Sequence, residues 1–263
     1  MVWLVSRESA ITLAGIRAVL LQFAHPAVAA GVDEHSDFRS HPLPRLWRSL
    51  DRPLRVMFGD SAEAARQINQ AHRGVRGPGY RASDPDLQIW VGATLIDTAL
   101  EAYQRFFRPL SPAEREEFYQ ESKALAPLLG VPKSAQAETY DEFAAYWSEM
   151  LRSETLRVDD RARQLAAAAL RPHLPLVPGA AWKPLEVLTT GLLPERFRDA
   201  YGLPWRGREQ RAYRVLERII RASRHLPAPL REMPVARSAM RRQRRERGRS
   251  PISPTELSSG SDT

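Results

Sequence analysis

The sequence predicts an all-α fold, and three observations carry that expectation. No stretch of its 263 residues sustains the alternation of apolar and polar positions that marks a half-buried strand. No Asn-Gly or Asp-Gly hairpin turn occurs. Apolar residues recur instead at helical spacing between start and stop signals, which gives roughly ten helices in one domain.

Taken in order, residues 1–10 lead in, with Ser9 a candidate cap. Ala14 to Ala24 is the most apolar run and reads as helix. His25-Pro26 interrupts it, because proline lacks the N–H an unbroken helix needs and pushes its predecessor out of the α region. Val28 to Phe38 follows, with Asp33, Glu34, His35 and Asp37 close together. His41-Pro42 and Pro44 mark a loop. Leu46 to Phe58 is helical, with Leu46, Leu50 and Leu54 at a spacing of four. Asp60 or Ser61 caps a helix over Ala62 to Val75, which Gly74, Gly77, Pro78 and Gly79 close as a flexible loop. Asp84-Pro85 opens the longest helix, to Phe107, with Leu87, Val91, Leu95 and Ala99 at a spacing of four. Ser111 and Glu114 form a capping box for a helix running to Leu129 and stopped by Gly130. Thr139 or Asp141 starts a helix to Leu151, and Asp159 another to Leu170. Pro172 to Pro184 is irregular. Leu185–Leu193, Glu195–Tyr201 and Glu209–Ser223 are further helices. The domain is expected over residues 1–240, followed by a basic and then Ser/Pro-rich disordered tail over 241–263.

A hydrophobic content of 43% supports a sizeable core. The chain has no cysteine, which excludes disulfides, thiolate zinc, iron–sulfur clusters, thiolate-ligated haem and cysteine nucleophiles. There is no Walker loop, no dinucleotide fingerprint and no Gly-x-Ser-x-Gly elbow. The six histidines are His25, His35, His41, His72, His173 and His225, and none pair at helical spacing, so zinc has no local motif. No apolar run reaches about 18 residues, Arg17, Gln22 and His25 breaking the best candidate, and no secretory signal pattern is present. A cytoplasmic protein is expected, with peripheral membrane attachment as an option.

Net charge is +8 and uneven. Arg206 to Arg249 holds fifteen arginines and four acidic residues, a net +11, whereas residues 1–205 carry −1. Within that segment Arg211, Arg214, Arg218, Arg221 and Arg224 fall on one arc of a helix, opposite Val215, Leu216, Ile219 and Ile220. A docked terminal helix with a solvated Arg face explains this pattern. The functional alternative is contact between the Arg211–Arg224 helix and an anionic membrane surface. Nucleic acid is disfavoured, since Tyr213 is the one aromatic in the helix.

Two histidines stand out. His25 sits at the expected kink among Ala24, Ala27, Ala29, Ala30 and Gly31, where a flat ligand or a reactive group would have room; a core imidazole bonded to a carbonyl is the plainer alternative. His72 shares a partly apolar helix face with Ile68 and Val75 and lies beside Arg73 and Arg76. Haem needs one axial imidazole, an apolar pocket and cations for its propionates, and His72 suits that role; a structural histidine is again the alternative.

Five segments in order resemble the rubber oxygenase family, which includes the latex-clearing proteins and the MpaB-type oxygenases, and in particular its short bacterial branch. They are RESAITLAGIRAVLLQFAHPAVAAGVDEHSDF at 7–38, FGDSAEAARQINQAHRGVRG at 58–77, YRASDPDLQIWVGATLIDTALEAY at 80–103, RPLSPAEREEFYQESKALAPLLGVP at 108–132 and TTGLLPERFRDAYGLPW at 189–205. The resemblance implies an all-α haem-b oxygenase that uses dioxygen on an apolar, isoprenoid or lipid-like substrate. It implies His72, in a His-x-x-Val-Arg pattern with Val75 and Arg76, as the iron ligand. Arg17, Arg76 and Arg81 become candidate cofactor-binding residues, and His25 and Thr94 candidate catalytic ones. The chain departs from the branch at Gly92, where Trp-Val-His-Ala-Thr is common. Gly92 either enlarges the pocket or marks a helical scaffold that has lost its cofactor.

Overall fold

The computed structural model describes residues 1–247 apart from 39–40, 60 and 175; Asp60 and the tail from Ser250 lie outside the described residues. These hold fifteen α-helices and a single two-stranded hairpin, so the fold is all-α. The helices are α1 (Val2–Ser6), α2 (Ser9–Leu13), α3 (Gly15–Phe23), α4 (Pro26–His35), α5 (Pro42–Phe58), α6 (Ser61–His72), α7 (Pro85–Phe106), α8 (Pro112–Leu125), α9 (Tyr140–Arg152), α10 (Asp160–Leu170), α11 (Lys183–Leu192), α12 (Glu195–Ala200), α13 (Gly207–Ala222), α14 (Ala228–Arg231) and α15 (Pro234–Arg247). The strands, β1 (Arg76–Gly77) and β2 (Tyr80–Arg81), pair antiparallel between α6 and α7.

Helix α3 is the centre. Every residue in it except Gln22 is buried, as expected for a helix that is apolar all round. It packs along α7, against α10 on another side and α11 on a third. The main core gathers Leu20 and Leu21 of α3, Trp90 of α7, Trp147 of α9, Leu165 of α10 and Phe197 of α12. Trp90 and Trp147 stack at 5.3 Å with 18° between their planes.

One charge lies inside this apolar interface. The Arg17 guanidinium, 4% exposed, donates from Nε to the Leu192 carbonyl of α11 at 2.8 Å. It also donates to Thr98 Oγ1 and to Asp97 Oδ2 of α7, each at 2.6 Å. Burial pushes the Asp97 carboxyl above the ordinary carboxylate range, and Arg17 pulls it back. One turn earlier, Thr94 is fully buried and accepts from Gln22 Nε2 at 2.9 Å while donating to the Val91 carbonyl. Arg17 and Thr94 therefore fasten α3 to α7.

His25-Pro26 ends α3 and starts α4. His25 adopts an extended backbone, and its Nδ1 accepts from the Ala27 N–H at 3.3 Å, so the imidazole is an N-cap. Pro26 at the first helical position has no N–H to leave unsatisfied. The chain bends by 105° between Ser9–Phe23 and Pro26–His35. No single described helix is long and apolar enough to cross a membrane.

Several boundaries agree with the sequence: the Ser111 capping box, the Thr139 and Asp159 caps and the left-handed Gly130 at φ 92°. Others are corrected. Residues 1–13 form two short helices, and Glu8, not Ser9, is the N-cap of the second. Helix α6 ends at His72, and the expected flexible loop after it contains the hairpin. Residues 241–247 continue α15 beyond the expected domain end at 240. Met233 just before it and its Ala236 and Ala239 bury against Phe58, and Arg242 donates to the Phe58 carbonyl at 2.8 Å. The start of this C-terminal unit is held by Met233 N–H on the Arg7 carbonyl and by a buried cluster of Glu8 and Glu232 with Arg7 and Arg231. In α13 the expected apolar arc splits: Leu216 and Ile220 join Tyr213 against the core, while Val215 and Ile219 are 49% and 62% exposed.

Replacing Arg17 by leucine strands the Asp97 carboxylate in an apolar interface. Urea denaturation should show a loss of about 3–5 kcal/mol, the cost of breaking a buried pair from one side. A double replacement, Arg17→Leu with Asp97→Leu, should recover much of it.

Candidate functional site

The bend at Pro26 carries α4 across the ends of α6 and α7 and opens a cavity of about 490 Å³ between them. Its walls are mainly small and aliphatic: Ala27, Val28, Gly31 and Val32 of α4, Ala71 of α6, Val75, and Leu87, Val91, Gly92 and Leu95 of α7. Polar groups are few and distinct. His72 reaches it from the last position of α6, and His35 from the last position of α4. Arg45 and Arg48 of α5 and Asp37 also line it.

Tyr80 of β2 closes one side. Its ring is buried between two glycines: a Cβ on Gly77 would lie 2.6 Å from the ring and one on Gly31 3.3 Å from it. Gly77 therefore needs glycine for this close approach, while a side chain at position 31 would require the ring to give by a few tenths of an ångström. The Tyr80 hydroxyl donates to Glu34 Oε2 at 2.7 Å, and Arg161 of α10 meets Glu34 Oε1 at 3.2 Å and Asp33 Oδ2 at 3.4 Å. Burial, then the Glu34 carboxylate, push the Tyr80 phenol up to about 12. His35 Nε2 donates to the Arg76 carbonyl at 2.9 Å, tying α4 to the hairpin a second time. At the rim Arg45 Nε donates to Ser36 Oγ at 2.9 Å, and Arg48 to Asp37 Oδ1 at 3.3 Å.

Of the candidate catalytic and cofactor-binding residues, the structure places His72 alone in this wall. Arg76 and Arg81 face each other across the hairpin with exposed side chains and do not line the cavity. Arg17 and Thr94 are spent on the α3–α7 interface, because their polar atoms are the partners that interface requires. His25 lines a different, open cleft with Thr155, Asp159 and Arg161, and burial lowers its basicity. The sequence reading missed Arg45, Arg48 and Tyr80. Their positions follow from α5 and the hairpin folding over α4, which no local pattern reports. The glycines at 31 and 77 are the one signal that a ring packs there. Among the described residues no group of three or more His, Asp or Glu side chains is arranged to hold a metal ion.

An all-helical domain holding an apolar cavity of this kind, with imidazoles in its wall and guanidiniums at its rim, offers a place for a small apolar molecule. The chain belongs to the family described as the ER-bound oxygenase mpaB/B'/rubber oxygenase catalytic domain, whose family profile matches residues 3–222. That makes it an oxygenase-class domain, for which dioxygen and an apolar substrate are the coarse reactants. It is similar to two uncharacterized mycobacterial proteins, one from Mycobacterium bovis and one from Mycobacterium tuberculosis. Each is 31% identical over 225 residues, covering 80% of this chain and 87% of the relative. No solved structure matches the chain significantly.

The packing of Tyr80 yields a matched pair of glycine tests. Gly77→Ala forces the ring away and should cost about 1–3 kcal/mol in urea denaturation. Gly74→Ala, where an added Cβ meets nothing within 4 Å, should be neutral or stabilising by about 0.4–1 kcal/mol.

Proposed function

We propose that the cavity between α4, α6 and α7 holds haem b, with His72 as its axial ligand, and that the domain is a haem-dependent oxygenase of an apolar, isoprenoid or lipid-like substrate. The observation that carries this reading is the donor set: an imidazole in a wall otherwise made of small and aliphatic side chains, with two guanidiniums at the rim. A metal held by protein side chains alone needs three or more ligands, which the described residues do not gather. Haem asks the protein for a single axial ligand and a flat apolar slot. The residues present fit that request.

Bound there, haem supplies the redox chemistry for activating dioxygen. The chain supplies the rest. His72 offers a ring nitrogen from the end of α6. Val28, Val32, Val91 and Leu95 exclude water from the slot. Arg45 and Arg48, rather than Arg76 and Arg81, are placed to pair with propionates, for which the planar guanidinium is well shaped. Tyr80 holds the hairpin against α4 and keeps the wall closed.

A second reading concerns location. Val215 and Ile219 stand exposed on α13 among Arg211, Arg214 and Arg218, and Leu226 and Leu230 are exposed just after it. Apolar side chains set among arginines suit an anionic lipid surface. Val215→Glu with Ile219→Glu should abolish co-sedimentation with phosphatidylserine vesicles. No binding by the unaltered chain, or equal binding by the variant, counts against this surface.

For the cofactor, titrating the purified chain with haem should produce a Soret band that His72→Ala loses. Arg45→Ala with Arg48→Ala should weaken haem affinity about tenfold or more, since charge-assisted hydrogen bonds contribute about 1.5–3 kcal/mol. Arg76→Ala with Arg81→Ala should leave it unchanged. A Soret band identical in His72→Ala removes the assignment.

A further inference from the structure

Beyond the His72 cavity lies a second, narrower chamber of about 170 Å³. It is bounded by Ile11 of α2, Ala18 of α3, Met57 of α5, Ala99 of α7 and Phe118 of α8. Of the four hydroxyl residues that line it, Thr98 accepts from Arg17, Ser122 donates to the Phe118 carbonyl and Thr12 donates to Met233 Sδ, with Ser6 the fourth. What remains for an occupant is mainly hydrocarbon surface. An engineered apolar cavity of about 150 Å³ stays dry and takes a small hydrocarbon, so a space of this size and lining is a place for apolar carbon.

Three residues line both spaces: Gly92, Leu95 and Ala126. Gly92 is the notable one. It sits inside α7, where glycine is less stable than alanine. Gly191, inside α11, has a steric reason, since a Cβ there would overlap the Tyr213 ring, and so does Gly77, whose Cβ would overlap the Tyr80 ring. An added Cβ at Gly92 meets nothing within 4 Å, and its φ is ordinary. Neither close approach nor backbone strain requires glycine there. The missing side chain leaves open space where the two chambers meet.

We propose that Gly92 is a specificity-determining residue, the opening through which one hydrocarbon chain passes from the His72 cavity into the narrower chamber, whose length sets the longest chain accepted. This rests on the wider cavity being the site of chemistry. The flat group and the reacting end of the substrate share the wider space, and the unreactive tail runs past Gly92 and Leu95 toward Phe118. Small side chains at Ala126 and Ala99 keep the path clear, and a larger group at position 92 would stop the tail at the junction.

The test uses the full chain as purified, with straight-chain primary alcohols from octanol to hexadecanol as probes and calorimetry as the readout. Affinity should climb about fourfold per added methylene, the gain expected for burying one, and then level off at the length that fills the inner chamber. Gly92→Leu should move that plateau to a shorter alcohol and weaken hexadecanol about tenfold or more relative to octanol. Ala99→Met, which fills the inner chamber from within, should shorten the plateau as well and stands in if Gly92→Leu does not fold. An unchanged plateau in the folded variants overturns the proposal, as does the absence of alcohol binding by the unaltered chain. Soret absorbance in the same samples separates the two readings: a length cutoff that responds to position 92 without any haem band removes the cofactor assignment and keeps the passage. A haem band with no length cutoff does the reverse.

Discussion

Arg17 enters the core with each nitrogen of its guanidinium group already assigned: one to a backbone carbonyl at the end of α11, one to Thr98 and one to Asp97. A guanidinium in an apolar interface is tolerated only when its donors are satisfied and its charge is paired. The three partners come from two helices, so meeting that condition fixes α3, α7 and α11 relative to one another. Thr94 and Gln22 repeat the tie one turn away. Helix α7 is thereby set as a spine, with one end of its inner face lining the wider cavity and the rest lining the inner chamber.

The second constraint is the break at His25-Pro26. Had α3 continued, the small-residue face of α4 would point along the same axis and enclose nothing. Proline forbids the continuation, the His25 ring caps the new start, and the 105° turn lays Val28, Gly31 and Val32 over α6 and α7. The hairpin then completes the wall. It is only two residues per strand, and its hold comes from Tyr80, clamped between Gly31 and Gly77 and bonded to Glu34. The shape of this cavity therefore depends on three local features that contribute little individually: a proline, a pair of glycines and one phenol.

Much of the fold was legible in the sequence because its signals are local. Capping at Ser111, Thr139 and Asp159 depends on residues within one turn, and the structure places those caps as read. α15 was missed because its own buried face is made of Ala236 and Ala239, too small to stand out among arginines, with Met233 packing just ahead of it. The split face of α13 was missed for a related reason. An arc drawn at 100° per residue says which residues share a side, and it does not say how deep the helix sits. Val215 and Ile219 fall on the arc but clear of the contact line set by Tyr213 against Gly191.

By itself the sequence determined the class of fold, the place of the kink and the presence of His72 on a helix with an apolar face, since periodicity, proline sterics and capping act within a few residues. The tertiary structure decided which polar residues meet. It took Arg17 and Thr94 into the core, turned Arg76 and Arg81 outward and brought Arg45, Arg48, His35 and Tyr80 to the cavity instead. It also showed Gly92 standing between two spaces. Residue type announces that a guanidinium or an imidazole is available. Where its partner lies depends on helix crossings between segments far apart in the chain, and no spacing within one helix encodes those.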